Sequence, residues 1–114
     1  MSDRPAWDAV AAAAETRASL AEILSESGLA PGARVTLDLR FVPGAGADRA
    51  GFLGAMKAAG YAGHAYEAEG REEIEAILDG IPLTAEAVWA EEEKAARIAI
   101  AHGYEPMGWG FEAP

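Results

Sequence analysis

Cysteine is absent from this sequence of 114 residues. Its absence excludes disulfide bonds, zinc sites built from thiolates and cysteine nucleophiles. Basic residues are also scarce, because nine Lys and Arg stand against 19 Asp and Glu and give a formal net charge of −10. The basic residues are scattered, whereas binding of phosphates needs them clustered, so the sequence argues against direct contact with nucleic acid. A large negative charge favours solubility and steers a protein towards basic protein partners.

Long apolar runs are missing as well. No stretch approaches the length of about 18 residues that a membrane helix needs, so no membrane segment is predicted. The opening residues, Met1 to Pro5, contain neither the basic region nor the apolar core of an export signal, which favours a cytoplasmic location. Two histidines, His64 and His102, lie far apart, and no spacing of His, Ser or carboxylates is typical of a catalytic or metal site. The sequence therefore predicts no catalytic residue, metal or cofactor.

The clearest pattern in the chain runs from Arg34 to Pro43. Its large apolar residues occupy alternate positions: Val35, Leu37, Leu39 and Phe41. A period of two predicts a strand with one buried face, and burial of each apolar side chain is worth roughly 1.5–3 kcal/mol. The other face carries Asp38 and Arg40, which must meet water, a helix edge or a partner. One covered and one wet face are typical of an antiparallel sheet in an α+β fold.

The first helix is predicted over residues 3–27. Asp3 is its expected N-cap, Pro5 suits its first turn, and Gly28 follows its last residue. The expected apolar stripe consists of Trp7, Val10, Ala14, Leu20, Ala21, Ile23 and Leu24. The pattern leaves open whether this stripe packs on the sheet of its own chain or on another molecule.

Two further helices are predicted, one from Asp48 to about Ala59 and one over residues 85–102, with Asp48 and Thr84 as N-caps. A second strand is expected over residues 61–69. Residues 71–78 are ambiguous, since their composition favours a helix while their alternation favours a strand. The last strand is expected over residues 104–111.

Pro106 lies within that last strand. Proline has no N–H to donate to a neighbouring strand, so the last strand should lie at the edge of the sheet.

The order of elements is helix, strand, helix, strand, strand, helix, strand. The last six form the split β-α-β arrangement of ferredoxin-like folds, in which the strand from Arg34 is central. The fold class predicted is therefore α+β, with a ferredoxin-like βαββαβ sheet and an extra N-terminal helix. Residues 1–33 form the helix and turn, residues 34–114 form the ferredoxin-like domain, and the two make one folding unit.

Three segments resemble one known family. They are Gly103-Tyr104-Glu105 with Gly108-Trp109-Gly110-Phe111, then Gly60-Tyr61, and then Glu15-Thr16-Arg17 with Leu20, Glu22, Leu24 and Gly28. The first is similar to the terminal motif, the second to the junction of helix and strand, and the third to the leading helix of the family of the regulator of ribonuclease activity B, the ribonuclease E inhibitor proteins. Two features depart from that family: Pro106-Met107 replaces its usual Tyr-Asp, and no acidic tail follows Glu112.

The resemblance implies a protein without chemistry of its own. Family members bind the arginine-rich regulatory part of the degradosome endonuclease and lower its activity. The resemblance also implies that residues 73–79 form the third strand. It marks Gly108, Trp109 and Gly110 as a family motif, and we predict that the motif is structural. The Trp109 ring, which lies between two glycines, should cover the junction of the last strand with the first helix or the sheet.

The residues expected to contact a basic protein partner are Glu91, Glu92, Glu93, Asp38 and Arg40. The expected partner is an endoribonuclease of the RNA-decay machinery or another basic protein, since an acidic surface steers towards positive charge. Two alternatives belong to other classes, because a ferredoxin-like fold does not select a function. One is a small enzyme or ligand-binding module, and the other is a structural or adaptor protein that forms a homodimer through an edge strand or the free sheet face.

Overall fold

The computed structural model describes residues 7–112. Its elements are α1 (Ala9–Ser27), β1 (Arg34–Pro43), α2 (Arg49–Ala58), β2 (Ala62–Ala68), β3 (Arg71–Pro82), α3 (Ala85–Ala101) and β4 (Tyr104–Glu112). The strands form one antiparallel sheet of four strands in the order β2-β3-β1-β4. The predicted α+β class is confirmed, and the arrangement is compatible with a ferredoxin-like fold. No helix within residues 7–112 has both the length and the apolar character that crossing a bilayer requires.

The strand β1 lies in the middle of the sheet, as its alternation predicts, because it pairs with β3 on one side and β4 on the other. Its apolar side chains are each 2% exposed or less: Val35, Leu37, Leu39 and Phe41. The helices cover this face, since Phe52 and Met56 of α2 and Val88 of α3 belong to the same core cluster. Asp38 and Arg40 therefore lie on the face without helices.

The helix caps predicted within the domain are confirmed. The Asp48 carboxylate accepts a hydrogen bond from the Gly51 N–H at 3.1 Å at the start of α2. The Thr84 hydroxyl accepts one from the Ala87 N–H at 3.1 Å at the start of α3. Each bond satisfies a donor that the first turn of a helix leaves without a partner.

The start of the first helix differs from the prediction. The helix begins at Ala9, and Asp8 is the N-cap, with extended backbone and a carboxylate that accepts from the Ala11 N–H at 3.0 Å. Trp7 therefore precedes the helix instead of lying on its stripe. The predicted cap Asp3 and first-turn Pro5 lie outside the described residues.

The predicted stripe of α1 is confirmed only in the second half of the helix, where Leu20 is buried and Leu24 packs against the core. In the first half, Val10 is 82% exposed and Ala14 is exposed, whereas Thr16, which lies outside the predicted stripe, is buried. The run of alanines near the N-terminus offers similar small side chains on every face, so periodicity defines no preferred side there. Contacts made by the second half of the helix determine which side is buried.

The first helix packs on its own domain. Leu20 belongs to the core cluster, the Thr16 hydroxyl donates to the Glu92 carboxylate of α3, and the Trp7 ring stacks on the Trp89 ring with centroids 5.8 Å apart. The sequence left this point open.

The ambiguous third strand is a strand of 12 residues, β3. Ile74 and Ala76 are fully buried on its inner face, where they pair with residues of both neighbouring strands. Pairing on both sides outweighs the helical propensity of its glutamates, because packing context dominates intrinsic propensity. The last strand, β4, lies at an edge, as Pro106 predicts.

Candidate functional site

The acidic triplet of α3 consists of Glu91, Glu92 and Glu93. Successive residues on a helix point about 100° apart, so the three carboxylates diverge. The first accepts a hydrogen bond from the Tyr61 hydroxyl at 2.8 Å, the second accepts one from Thr16, and the third pairs with Arg97 at 2.9 Å. Burial, followed by the neighbouring Glu91, raises the pKa of Tyr61, so its phenol remains the donor. The structure therefore distributes the triplet over three sets of contacts, and its role in partner binding stays a prediction.

Asp38 and Arg40 lie on the open face of the sheet, opposite the face that α3 covers. The Arg40 Nε is 3.5 Å from the Asp38 Oδ2. A Cβ atom built at Gly110 of β4 would come 3.1 Å from the Asp38 Oδ1, so the glycine leaves the room that this carboxylate occupies. The structure brings Asp38 and Arg40 together, and it separates both of them from the acidic triplet.

The Gly108-Trp109-Gly110 motif lies in β4, where Trp109 is opposite Leu39 of β1. Trp109 therefore faces the helix side of the sheet, and its ring packs on the core while it stays partly exposed. Gly108 has a positive φ of 130°, a conformation that L side chains rarely adopt. The motif places a large aromatic ring at the edge of the core.

The two histidines lie in separate surroundings. The His64 Nε2 is 3.4 Å from the Glu75 Oε1 on the open face, whereas the His102 Nδ1 is 3.7 Å from the Asp48 Oδ2, and its ring stacks on Phe52. Within residues 7–112, no three His, Asp or Glu side chains group as metal ligands would.

A groove lies between α1 and β4 and has a volume of about 550 Å³. Its lining residues are Trp7, Asp8, Ala11, Ala12, Glu15, Thr16, Ser19, Ile23, Glu92, Pro106, Met107, Gly108 and Trp109. We refer to it as the α1–β4 groove. The alanines and Ser19 have short side chains and leave the space open, while Trp7 and Trp109 provide aromatic walls. The Met107 side chain, 56% exposed, adds flexible apolar surface.

Three carboxylates line the α1–β4 groove: Asp8, Glu15 and Glu92. Burial raises the pKa of Glu92, and the negative charge of Glu15 adds to this effect, while the hydrogen bond from Thr16 acts in the opposite direction. A cation that enters the groove would lower this pKa again, since an opposite charge favours the ionised carboxylate. The arrangement is suited to a ligand that carries positive charge and apolar surface together.

The chain already shows one such contact beside the groove. The Arg97 guanidinium carbon lies 5.9 Å from the centroid of the Trp7 ring, within the range of a cation–π interaction. Trp7 thus already contacts a guanidinium group of its own chain and stacks on Trp89, which leaves Trp109 as the other aromatic ring that lines the groove.

Sequence patterns do not reveal this groove, because its walls are about 90 residues apart in the chain and local periodicity puts Trp7 on a helix stripe. One signal was nevertheless present. Glu15-Thr16 and Gly108-Trp109 belong to the two longest segments of the family resemblance, and all four residues line the groove.

Comparison with protein-family models gave no match for this chain, and comparison with curated proteins gave none either.

Proposed function

We propose that this chain is a non-enzymatic modulator that binds a basic protein segment, and that its partner is an RNA-decay endonuclease, as in the ribonuclease E inhibitors that it resembles. Binding to the regulatory region of the nuclease lowers its activity. The single observation that carries the proposal is the α1–β4 groove. There the first helix and the terminal motif, which carry the resemblance, lie together around three carboxylates and two tryptophans.

The fold supports the same proposal. The strand order β2-β3-β1-β4, with α2 and α3 as the connections that cross the sheet, is the order expected of a ferredoxin-like domain. We propose that the domain is of this type, with α1 as an addition that builds one wall of the groove.

The chemistry of the groove favours arginine over other partner groups. A guanidinium pairs with a carboxylate through two parallel hydrogen bonds and stacks on an aromatic ring, and the α1–β4 groove provides Glu92 and Trp109 for these two contacts. Its volume lies in the ordinary range of ligand sites, about 300–1,000 Å³. The net charge of −10 then draws a basic segment towards the protein from a distance.

Acidic side chains outside the groove should affect mainly the rate at which the partner associates. Glu93 is paired with an exposed arginine, and Arg40 is exposed on the open face. Exposed charges of this kind steer encounter more than they add to affinity. We therefore assign Glu93 to steering, and we assign no part in attracting the basic segment to Arg40, because its own charge is positive.

The experiment compares two double variants of the full chain that remove the same charge. Glu15→Gln with Glu92→Gln removes two carboxylates from the groove, and Glu22→Gln with Glu26→Gln removes two exposed carboxylates of α1 outside it. Binding to the arginine-rich regulatory segment of the nuclease is measured by titration calorimetry, and cleavage by the nuclease is measured alongside. We expect the groove variant to bind at least about tenfold more weakly, or about 1.4 kcal/mol, with matching loss of inhibition. We expect the control to change little.

Equal weakening in both double variants would show that net charge acts without the groove. Tight binding by the groove variant would also contradict the assignment, as would binding of the segment with no effect on cleavage.

A further inference from the structure

The two edges of the sheet have different protection against further pairing. The edge strand β4 contains Pro106 and Gly108, and its register with β1 shifts between Arg40 and Phe41. Proline and bulges of this kind prevent a further strand from pairing. The edge strand β2 has neither feature: it pairs with β3 over all seven residues without a shift and contains no proline or lysine.

The strand β2 is also accessible. Five of its residues are exposed, namely Ala62, Gly63, His64, Ala65 and Glu67. Among the described residues, β3 is its one neighbour in the sheet. A regular strand with one neighbour presents a row of N–H and C=O groups that another strand can pair with.

We propose that β2 is the self-association surface of this protein. Two copies pair their β2 strands antiparallel about a twofold axis and join the two sheets into one of eight strands. This inference goes beyond the proposed function and uses the edge of the sheet opposite to the α1–β4 groove.

Symmetry restricts the register of this pairing. A twofold axis perpendicular to the sheet keeps each side chain on the same face of the sheet in both copies. Residues directly opposite each other in an antiparallel pair also point to the same face, so the axis must pass between a residue and the same residue of the partner. An axis at Ala65, the middle of Ala62–Ala68, pairs all seven residues, whereas any other position leaves residues at the ends unpaired. In this register, His64 lies opposite the partner's Tyr66.

Charge complementarity supports the same register. An axis at Ala65 places the partner's Glu67 opposite Gly63. Gly63 lines a surface groove together with Leu53 and Lys57, so the partner's carboxylate arrives beside the Lys57 ammonium. The twofold axis repeats this contact, so the dimer gains two ion pairs, each between Lys57 of one copy and Glu67 of the other.

Both charges are available for this contact. Within residues 7–112, neither Lys57 nor Glu67 has an ion-pair partner in its own chain. Gly63 has no side chain, and Leu53 lies over it, with its Cδ2 3.3 Å from the position that a Cβ would occupy.

The test measures the mass of the full chain in solution by sedimentation equilibrium over a wide range of concentration. We expect a reversible equilibrium between monomer and dimer. Ala65→Lys places two like charges next to each other on the axis and should weaken the dimer at least about tenfold. The matched control is Ala18→Lys, at an exposed site of α1, which should leave association unchanged. Circular dichroism checks that both variants fold.

A charge exchange tests the register directly. Lys57→Glu alone and Glu67→Lys alone should each weaken the dimer, and the two together in one chain should restore it, because the pair re-forms with reversed signs. A wild-type chain that stays monomeric at every concentration overturns the proposal. A dimer that Ala65→Lys leaves intact, or a failure of the double variant to restore association, overturns it as well.

Discussion

The two edge strands of this sheet differ in what lies beside them. Beside β4, the first helix forms the other wall of the α1–β4 groove, and Trp109 packs on the core. Beside β2, small side chains such as Ala65 are exposed. The difference shows how one helix added to a small sheet makes its two edges suitable for different contacts. The edge beside the helix gains a groove with side-chain chemistry, whereas the other edge offers backbone pairing.

A glycine lies between each edge strand and the helix that precedes it, and the surroundings of the two glycines can be compared directly. Gly103 precedes β4 with φ at 81°, and Gly60 precedes β2 with φ at 94°. A Cβ at Gly103 would come 2.7 Å from the Gly46 carbonyl oxygen, whereas a Cβ at Gly60 would meet nothing within 4 Å. The junction with β4 is therefore closely packed against a loop, and the junction with β2 is open.

The largest expected effect comes from Gly103→Ala. This change combines left-handed strain of about 1–2 kcal/mol with displacement of a packed backbone, so we expect a loss of about 2–5 kcal/mol in the free energy of unfolding. Gly60→Ala has the strain alone and should lose about 1–2 kcal/mol. Urea titration of both variants provides the measurement. Equal losses would mean that the loop beside Gly103 moves without cost.

The aromatic residues of the two edges give the second comparison. Trp109 packs on the core, while Tyr66 lies on the open face, where its hydroxyl donates to the Glu73 carboxylate at 2.9 Å. A fully buried Trp would cost about 3–5 kcal/mol on replacement by Ala, and Trp109 is only partly buried, so we expect about 2–3 kcal/mol for Trp109→Ala. Tyr66→Ala should cost about 1 kcal/mol or less.

Thermal and urea unfolding measure both losses, and binding to the basic segment is a second readout. Only Trp109→Ala should weaken that binding, because Trp109 lines the α1–β4 groove and Tyr66 does not. A stability unchanged by Trp109→Ala would show that the ring serves a partner and contributes nothing to the fold.

The smallest expected effect is a change with pH in the free energy of unfolding, and it concerns Glu92 of the α1–β4 groove. Since burial raises the pKa of Glu92 in the folded chain, the folded state holds this proton more tightly than the unfolded state does. The stabilising effect of protonation is complete below the unfolded pKa and disappears as pH rises through the raised folded pKa. Glu92→Gln keeps an acceptor for Thr16 and removes the charge.

We therefore expect Glu92→Gln to be slightly more stable than the wild type at neutral pH. This advantage should shrink as pH falls towards the ordinary value of a glutamate, because the wild-type carboxyl then becomes neutral as well. Urea titration at a series of pH values measures the difference. An advantage that grows on acidification would contradict the assigned direction.

Several features of the fold were predictable because they depend on neighbours in sequence. The alternation around Leu37 identified the central strand, Asp48 and Thr84 identified two helix starts, and Pro106 identified an edge strand. Each of these signals acts over a few residues, through side-chain direction, capping or a missing donor.

Local signals of this kind could not predict which face of the first half of α1 is buried, or which residues the acidic triplet contacts. The alanine-rich first half of α1 has no strong side, so the burial of Thr16 came only through its contact with α3. Three adjacent glutamates look like one patch in sequence, but helical geometry directs Glu91 and Glu92 towards different elements.

From its sequence alone, this protein is determined to be an acidic α+β domain with a central alternating strand, because composition and local periodicity contain that information. The shared groove of Glu15 and Trp109, and the position of β2 at an edge of the sheet, became visible only in the folded chain. Such contacts depend on how helices and strands distant in the chain pack together. A local pattern constrains the face that a residue occupies, but not the partner that this face meets.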